Sequence, residues 1–257
     1  MLRSFCSAFL MYSRIPVPKV EWNEKNRRYA LCFFPFIGIV VGALLIGWRF
    51  ICDKLGIGQV LFAVVAAAVP VLVTGGIHLD GYCDVTDAVS SYASKERRLE
   101  ILSDPHVGAF AVIYLAIYLL MQVGFYTEVS TYRTLLIIGI GFILSRALSA
   151  MAAITFKSAK KQGTLQSFVK PAHKKFSVVF LSSIIILCAV GMIILSPVQG
   201  ISCVMLSGAA MLYYRRSAYK NFGGITGDTE GWFLQICEIG ILISAVISGK
   251  ISEIVNL

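Results

Sequence analysis

The chain has 257 residues, 57% of them apolar and only 14% charged, with a formal charge of +9 and a mean hydropathy of +0.78. That composition excludes an ordinary soluble domain. Apolar stretches near the roughly 20 residues that cross hydrocarbon predict an all-α, polytopic membrane bundle.

Residues 1–29 do not read as a cleavable signal. The first apolar stretch is short and runs into Arg14-Ile15-Pro16-Val17-Pro18-Lys19 without a small-residue cleavage pattern. Leu2, Phe5, Phe9 and Leu10 recur at helical spacing, which predicts an interfacial helix on the membrane that the two prolines end. About seven spans are expected after it, near 30–51, 57–78, 107–125, 134–156, 176–196, 198–214 and 231–248. Pro197 alone divides the fifth from the sixth, so those two should form a tight hairpin. Most basic residues fall in alternate segments, from Arg3, Arg14, Lys25, Arg27 and Arg28 to Arg215, Arg216 and Lys220. This bias puts the amino terminus and the two longest polar loops, 79–106 and 157–175, in the cytoplasm. The basic excess thus reads as topology and attraction to anionic lipid, not nucleic-acid binding. Residues 1–257 read as a single integral membrane domain.

One stretch organises the rest: Gly75-Gly76-Ile77-His78-Leu79-Asp80-Gly81-Tyr82-Cys83-Asp84-Val85-Thr86-Asp87. On a helix, Asp80, Asp84 and Asp87 share one face. Like charges so close need protons or a cation, and Mg2+ suits clustered carboxylates that also meet phosphate. The competing readings are a solvated helix face and, for Asp80, an N-cap. A second glycine-rich segment, Gly223-Gly224-Ile225-Thr226-Gly227-Asp228-Thr229, falls on the same face of the membrane. Its backbone can approach phosphate, while Asp228 either joins the metal or caps a helix.

Other polar residues divide between roles. Asp104 before Pro105 suits an ordinary turn or a fourth carboxylate. Arg97 and Arg98 suit phosphate or topology. Arg146 lies inside a span, where a charge needs a partner, and Glu238 or a substrate phosphate would serve. Lys157, Lys160, Lys161, Lys170, Lys174 and Lys175 form either a solvated loop or a steering field for anions. The seven cysteines show no Cys-x-x-Cys pair and read as small hydrophobes, with Cys83 alone inside the acidic stretch. With no P-loop, Gly-x-Ser-x-Gly or His-Glu-x-x-His pattern, the inventory suits metal-assisted group transfer from a diphosphate.

These motifs resemble those of the adenosylcobinamide-GDP ribazoletransferase, or cobalamin synthase, family. The resemblance takes in Ser13-Arg14-Ile15-Pro16-Val17-Pro18, Phe34-Pro35-Phe36-Ile37-Gly38, the aspartate stretch, Leu99-Glu100 through Asp104 to Gly108, Ser145-Arg146, and the second glycine segment followed by Glu238. It implies a multi-pass enzyme of a bacterial or archaeal cell membrane, whether inner or plasma membrane, with its active site facing the cytoplasm. There adenosylcobinamide-GDP would react with α-ribazole or its 5′-phosphate, giving adenosylcobalamin or its phosphate and releasing GMP. Mg2+ is the implied cofactor. Asp80, Asp84 and Asp87 would be catalytic and hold metal, with Asp104 or Asp228. Arg14, Gly75, Gly76, His78, Arg146, Gly223, Gly224, Thr226, Gly227, Thr229 and Glu238 would meet substrate. Lipid is the other implied partner, nucleic acid is not, and a homo-oligomer is left open. The chain departs from the family at Cys83 and Val85 beside Asp84, at Ala88, and at Pro105-His106, where Ser-Arg is common. An arginine contact to phosphate is therefore not carried over there. The alternatives are another aspartate-rich membrane transferase, of CDP-alcohol phosphotransferase or prenyltransferase type, and a transporter with Arg146 and Glu238 along its pathway.

Overall fold

The computed structural model describes residues 1–160 and 163–255, so Lys161 lies outside the described residues. Among the described residues the regular structure is all α-helix, apart from one isolated bridge between Ser158 and Ile225. The expected first helix is α1 (Leu2–Tyr12). It leaves Leu2 and Leu10 exposed, stacks Phe5 on Phe9 and sets Phe5 edge-on to Phe33 of the next long helix.

After a short α2 (Glu24–Arg27), capped by the Asn23 side chain, comes α3 (Ala30–Leu55). Next is α4 (Gln59–Thr74), then α5 (Ile77–Ser90). The span expected over 57–78 therefore stops at Thr74. Gly75 and Gly76 hold φ of +67° and +81°, a left-handed conformation that glycine adopts without a Cβ penalty. The chain bends there by 96°. The bend separates an apolar half suited to hydrocarbon from a half carrying three carboxylates, which is not. We therefore count α5 with the membrane face and not with the spans.

A short α6 (Lys95–Ile101), capped by Ser94, leads to α7 (Ala109–Thr127) and α8 (Tyr132–Thr155). Then follow α9 (Thr164–Val169), α10 (Lys174–Leu195), α11 (Pro197–Phe222) and α12 (Gly227–Val255). Five helices, α3, α7, α8, α10 and α12, are long and apolar enough to cross a membrane; α4 with α5 would make a sixth if taken as one bent span. The last two long helices run past their expected spans because polar turns extend them. Lys220 lies in the last turn of α11, and Asp228 and Glu230 lie in the first turn of α12.

Small residues set the helix spacing. Gly38 and Gly42 of α3, a Gly-x-x-x-Gly pair, meet α8 so closely that a Cβ on Gly38 would lie 2.3 Å from the Phe142 carbonyl oxygen. Pro197 opens α11, and a Cβ on Gly200 would lie 2.5 Å from the Met192 backbone, which makes the expected hairpin with α10. Helix α8 is enclosed on most sides, whereas α7 and α10 turn Val112, Leu120, Ile186, Leu187 and Ile194 outward, as lipid-facing helices do. All seven cysteines are free thiols.

Candidate active site

The site forms where α5 crosses the start of α12. A Cβ on Gly81 would lie 2.7 Å from the Asp228 carbonyl oxygen, and one on Gly231 would lie 2.9 Å from the His78 carbonyl oxygen. Two glycines facing opposite backbones thus let the helices touch, and the contact brings Asp80 and Asp84 to Asp228. Burial, with the carboxylates of Asp80, Asp228 and Asp87, pushes the Asp84 carboxyl up to about 7. Among the described residues none of Asp80, Asp84 and Asp228 makes an ion pair.

Asp87 has taken another duty. Its two oxygens accept from the backbone N–H groups of Gly108, at 2.6 Å, and Ala111, at 2.9 Å. It therefore caps α7 from outside, where a carboxylate also meets the positive end of the helix dipole. Gly108 is needed for this, since its Cβ would fall 2.6 Å from an Asp87 oxygen. Asp104 is exposed and closes its own turn. It accepts from the His106 N–H at 2.9 Å and faces the His106 ring at 2.7 Å, which holds its carboxyl below the usual range.

Three cavities meet at these carboxylates. An outer one of about 570 Å3 is lined by Arg14, Gly75, Gly76, Asp80 and Cys83. The Arg14 side chain lies over Gly75, where a Cβ would come within 2.3 Å of its Nε, and the Arg14 N–H donates to the Val73 carbonyl. A second, of about 220 Å3, is lined by Lys160, Thr226, Gly227 and Asp228. The third, of about 150 Å3, lies deeper, with Tyr12, Phe34, His78, Glu230 and both Asp80 and Asp228 in its walls.

The second glycine segment is mostly shaped by packing. Gly223 ends α11 at φ +76°, and a Cβ on Gly224 would lie 2.5 Å from the Lys157 carbonyl oxygen. The Ile225 N–H donates to that oxygen while the Ala159 N–H donates to Ile225. This pairing carries Lys160 to the cavity wall, a placement that a solvated loop would not give. Thr226 and Thr229 cap α12 reciprocally: each hydroxyl accepts from the other's backbone N–H, at 3.2 and 2.8 Å. Gly227 is left open, with no atom within 4 Å of its Cβ position.

Arg146 is 1% exposed and donates to Glu238 at 2.7 Å and to the Phe142 carbonyl at 2.9 Å; the Ser145 hydroxyl also donates to Glu238. Of the two partners the sequence allows, Glu238 is in place. Arg97 pairs with Glu100, and Arg98 donates to Asn221 at 2.6 Å. Glu230 and Ser149, bonded at 2.5 Å, were not singled out by sequence. The signal was a third polar residue in the first turn of α12, which reads as helix solvation until its burial is known.

Among the described residues no three His, Cys, Asp or Glu side chains converge into a ready metal cage. Mg2+ does not require one, because it keeps waters and takes one or two carboxylates together with substrate phosphates. Hard oxygen donors crowded together, with no ion pair of their own among the described residues, fit that mode.

A family model described as cobalamin-5-phosphate synthase matches residues 4–246. A protein of Lachnoclostridium phytofermentans named adenosylcobinamide-GDP ribazoletransferase is 43% identical, over 96% of this chain and 94% of its own length. Relatives of the same name from Clostridium perfringens and Acinetobacter baumannii are 31% and 28% identical. They cover 92% and 93% of this chain and 95% and 94% of their own lengths. No solved structure matches.

Proposed function

That this chain belongs to the cobalamin-5-phosphate synthase family is the premise from which we propose its reaction. It is an enzyme that transfers a substituted phosphate group in cobalamin biosynthesis. Adenosylcobinamide-GDP is the donor, and α-ribazole or its 5′-phosphate is the acceptor. The ribazole 3′-hydroxyl oxygen bonds to the cobinamide-linked phosphorus, the bridging P–O bond breaks, and GMP leaves with the bridging oxygen. The hydroxyl proton passes to a carboxylate of the site.

The observation that carries this reading is the junction itself. Asp80 and Asp228 stand where three cavities meet, with Arg14 lining one outer cavity and Lys160 the other. Two substrates need separate seats that open on one reacting centre, and a diphosphate needs positive charge along its length. Asp80, Asp84 and Asp228 would hold Mg2+, which when bound neutralises diphosphate oxygens. Arg14 and Lys160 bind the phosphates, and the open backbone at Gly76 and Gly227 admits them closely. Asp87 serves by fixing α7 against α5. The Arg146–Glu238 pair positions α8 against α12 beneath the site. The site faces the cytoplasm, where the positive-inside bias puts it.

The test is direct. Protein purified in detergent is given Mg2+, adenosylcobinamide-GDP and α-ribazole 5′-phosphate, and products are separated by chromatography. Cobalamin phosphate and GMP, both dependent on protein and metal, are expected. Folded protein that yields neither, with either form of the nucleoside, overturns the reading.

A further inference from the structure

We propose that the deep cavity between Tyr12, Phe34, His78 and Glu230 seats the heteroaromatic base of the accepting nucleoside. The inference rests on the reaction proposed above and deepens it by assigning one substrate to one cavity.

Two buried polar atoms there have no partner. His78 and Glu230 are each only 6% exposed, yet His78 Nε2 and Glu230 Oε1 make no hydrogen bond. Both residues line this cavity. Buried polar atoms are nearly always paired, so two orphans on residues that wall one cavity point to a ligand that draws them in. Their surroundings hold them in place. The His78 ring lies 5.6 Å from Phe34 and 6.3 Å from Tyr12. Glu230 is anchored through its other oxygen by the Ser149 hydroxyl.

Size and polarity then choose the occupant. A cavity of about 150 Å3 takes a ring system on the scale of benzene, so a corrin macrocycle is excluded. Most of the remaining wall is apolar, including Met11, Leu31, Ala150, Ala153 and Leu234. Guanine carries donors and acceptors around its edge, more than the two orphan atoms pair, and its remaining edge would face Met11, Leu31, Ala150, Ala153 and Leu234 of that wall. A fused aromatic base with one free ring nitrogen matches it: the nitrogen pairs with His78 Nε2, and a polarised ring C–H faces Glu230 Oε1. Position agrees with size. Asp80 and Asp228 border the cavity, so the sugar of a base seated there emerges beside the carboxylates. The bulkier donor is left the outer cavity beside Arg14.

The probe is benzimidazole alone, whose binding to detergent-solubilised protein needs no turnover. Equilibrium dialysis should give a Kd at or below about 1 mM for the wild type. Glu230→Met removes one polar partner, and Ala153→Leu fills the space. Loss of the Glu230 contact should weaken benzimidazole about two- to fivefold and the filled cavity about tenfold, each raising KM for α-ribazole 5′-phosphate to a similar extent. KM for adenosylcobinamide-GDP should not move. A rise confined to adenosylcobinamide-GDP, or benzimidazole binding unchanged in both variants, overturns the assignment. If one variant loses its single gel-filtration peak, the other decides. Normal turnover without benzimidazole binding refutes the cavity and leaves the reaction; binding without turnover refutes the reaction and leaves the cavity.

Discussion

Gly81 controls how closely the two carboxylate-bearing helices approach. Gly81→Ala would place a Cβ 2.7 Å from the Asp228 carbonyl oxygen and 2.9 Å from its Cα. Both atoms are backbone, so no side chain can swing aside. Ordinary contact begins at 3.4 Å, which requires α5 and α12 to part by about 0.7 Å. Forced overpacking of this kind costs about 1–3 kcal/mol. In a chain of this length that lowers Tm by roughly 2–12 °C. Function should suffer more, because misplacing catalytic groups by about 1 Å can cost about a hundredfold in rate. Turnover by chromatography and Tm in detergent would be measured together, with kcat expected to fall tenfold to a hundredfold by about that reasoning. Gly47→Ala on α3, where nothing lies within 4 Å of the added carbon, is the control and should change neither. Wild-type Tm and kcat in Gly81→Ala would refute the crossing as the origin of the site.

Arg146→Met leaves Glu238 buried without its partner and should cost about 3–5 kcal/mol, read as lost thermal stability, while Arg146→Met with Glu238→Gln recovers most of it. Stability retained with poorer use of adenosylcobinamide-GDP would instead make Arg146 a phosphate contact. Asp87→Asn weakens the cap on α7 and should cost about 0.5–2 kcal/mol with partial activity; complete inactivation at unchanged Tm would return Asp87 to the metal. Asp84, crowded by Asp80, Asp228 and Asp87, has its folded carboxyl raised from 3.8 to about 7. The stability it contributes is therefore present below about pH 4 and lost as pH rises through about 7. Metal-free Tm should fall across that window, and Mg2+ should restore most at pH 8. A flat metal-free profile, or no gain from Mg2+, would sink the crowded-carboxylate account.

The helical bundle was legible because hydrocarbon imposes one rule on every segment: satisfy the backbone within the helix and face apolar atoms outward. Each expected span overlaps a helix, and Pro197 marks its hairpin. The count of about seven is a different matter, since five helices meet length and apolarity together. Hydropathy misread the stretch at 57–78 because it averages over Gly75 and Gly76. Their consequence is geometric: consecutive left-handed residues turn the chain and carry the aspartates out of the span direction. Hydropathy also clipped α11 and α12, whose polar turns continue the helix beyond the apolar core.

The site shows why a shared helix face is not a shared role. Asp80, Asp84 and Asp87 follow one another at helical spacing, and nothing local distinguishes them. What separates them is the neighbour each meets. Asp80 and Asp84 face the start of α12, whereas Asp87 meets two amides of α7. The glycines divide in the same way. Gly81, Gly224 and Gly231 admit opposing backbone, Gly75 admits the Arg14 side chain, and Gly76 and Gly227 leave open space. A glycine-rich motif therefore signals close approach without saying to what. Glu230 and Lys160 complete the argument from the other side, since one is buried and the other brought to the cleft only by contacts across distant sequence. Local pattern supplies the inventory of a reacting centre, and tertiary contact assigns its members.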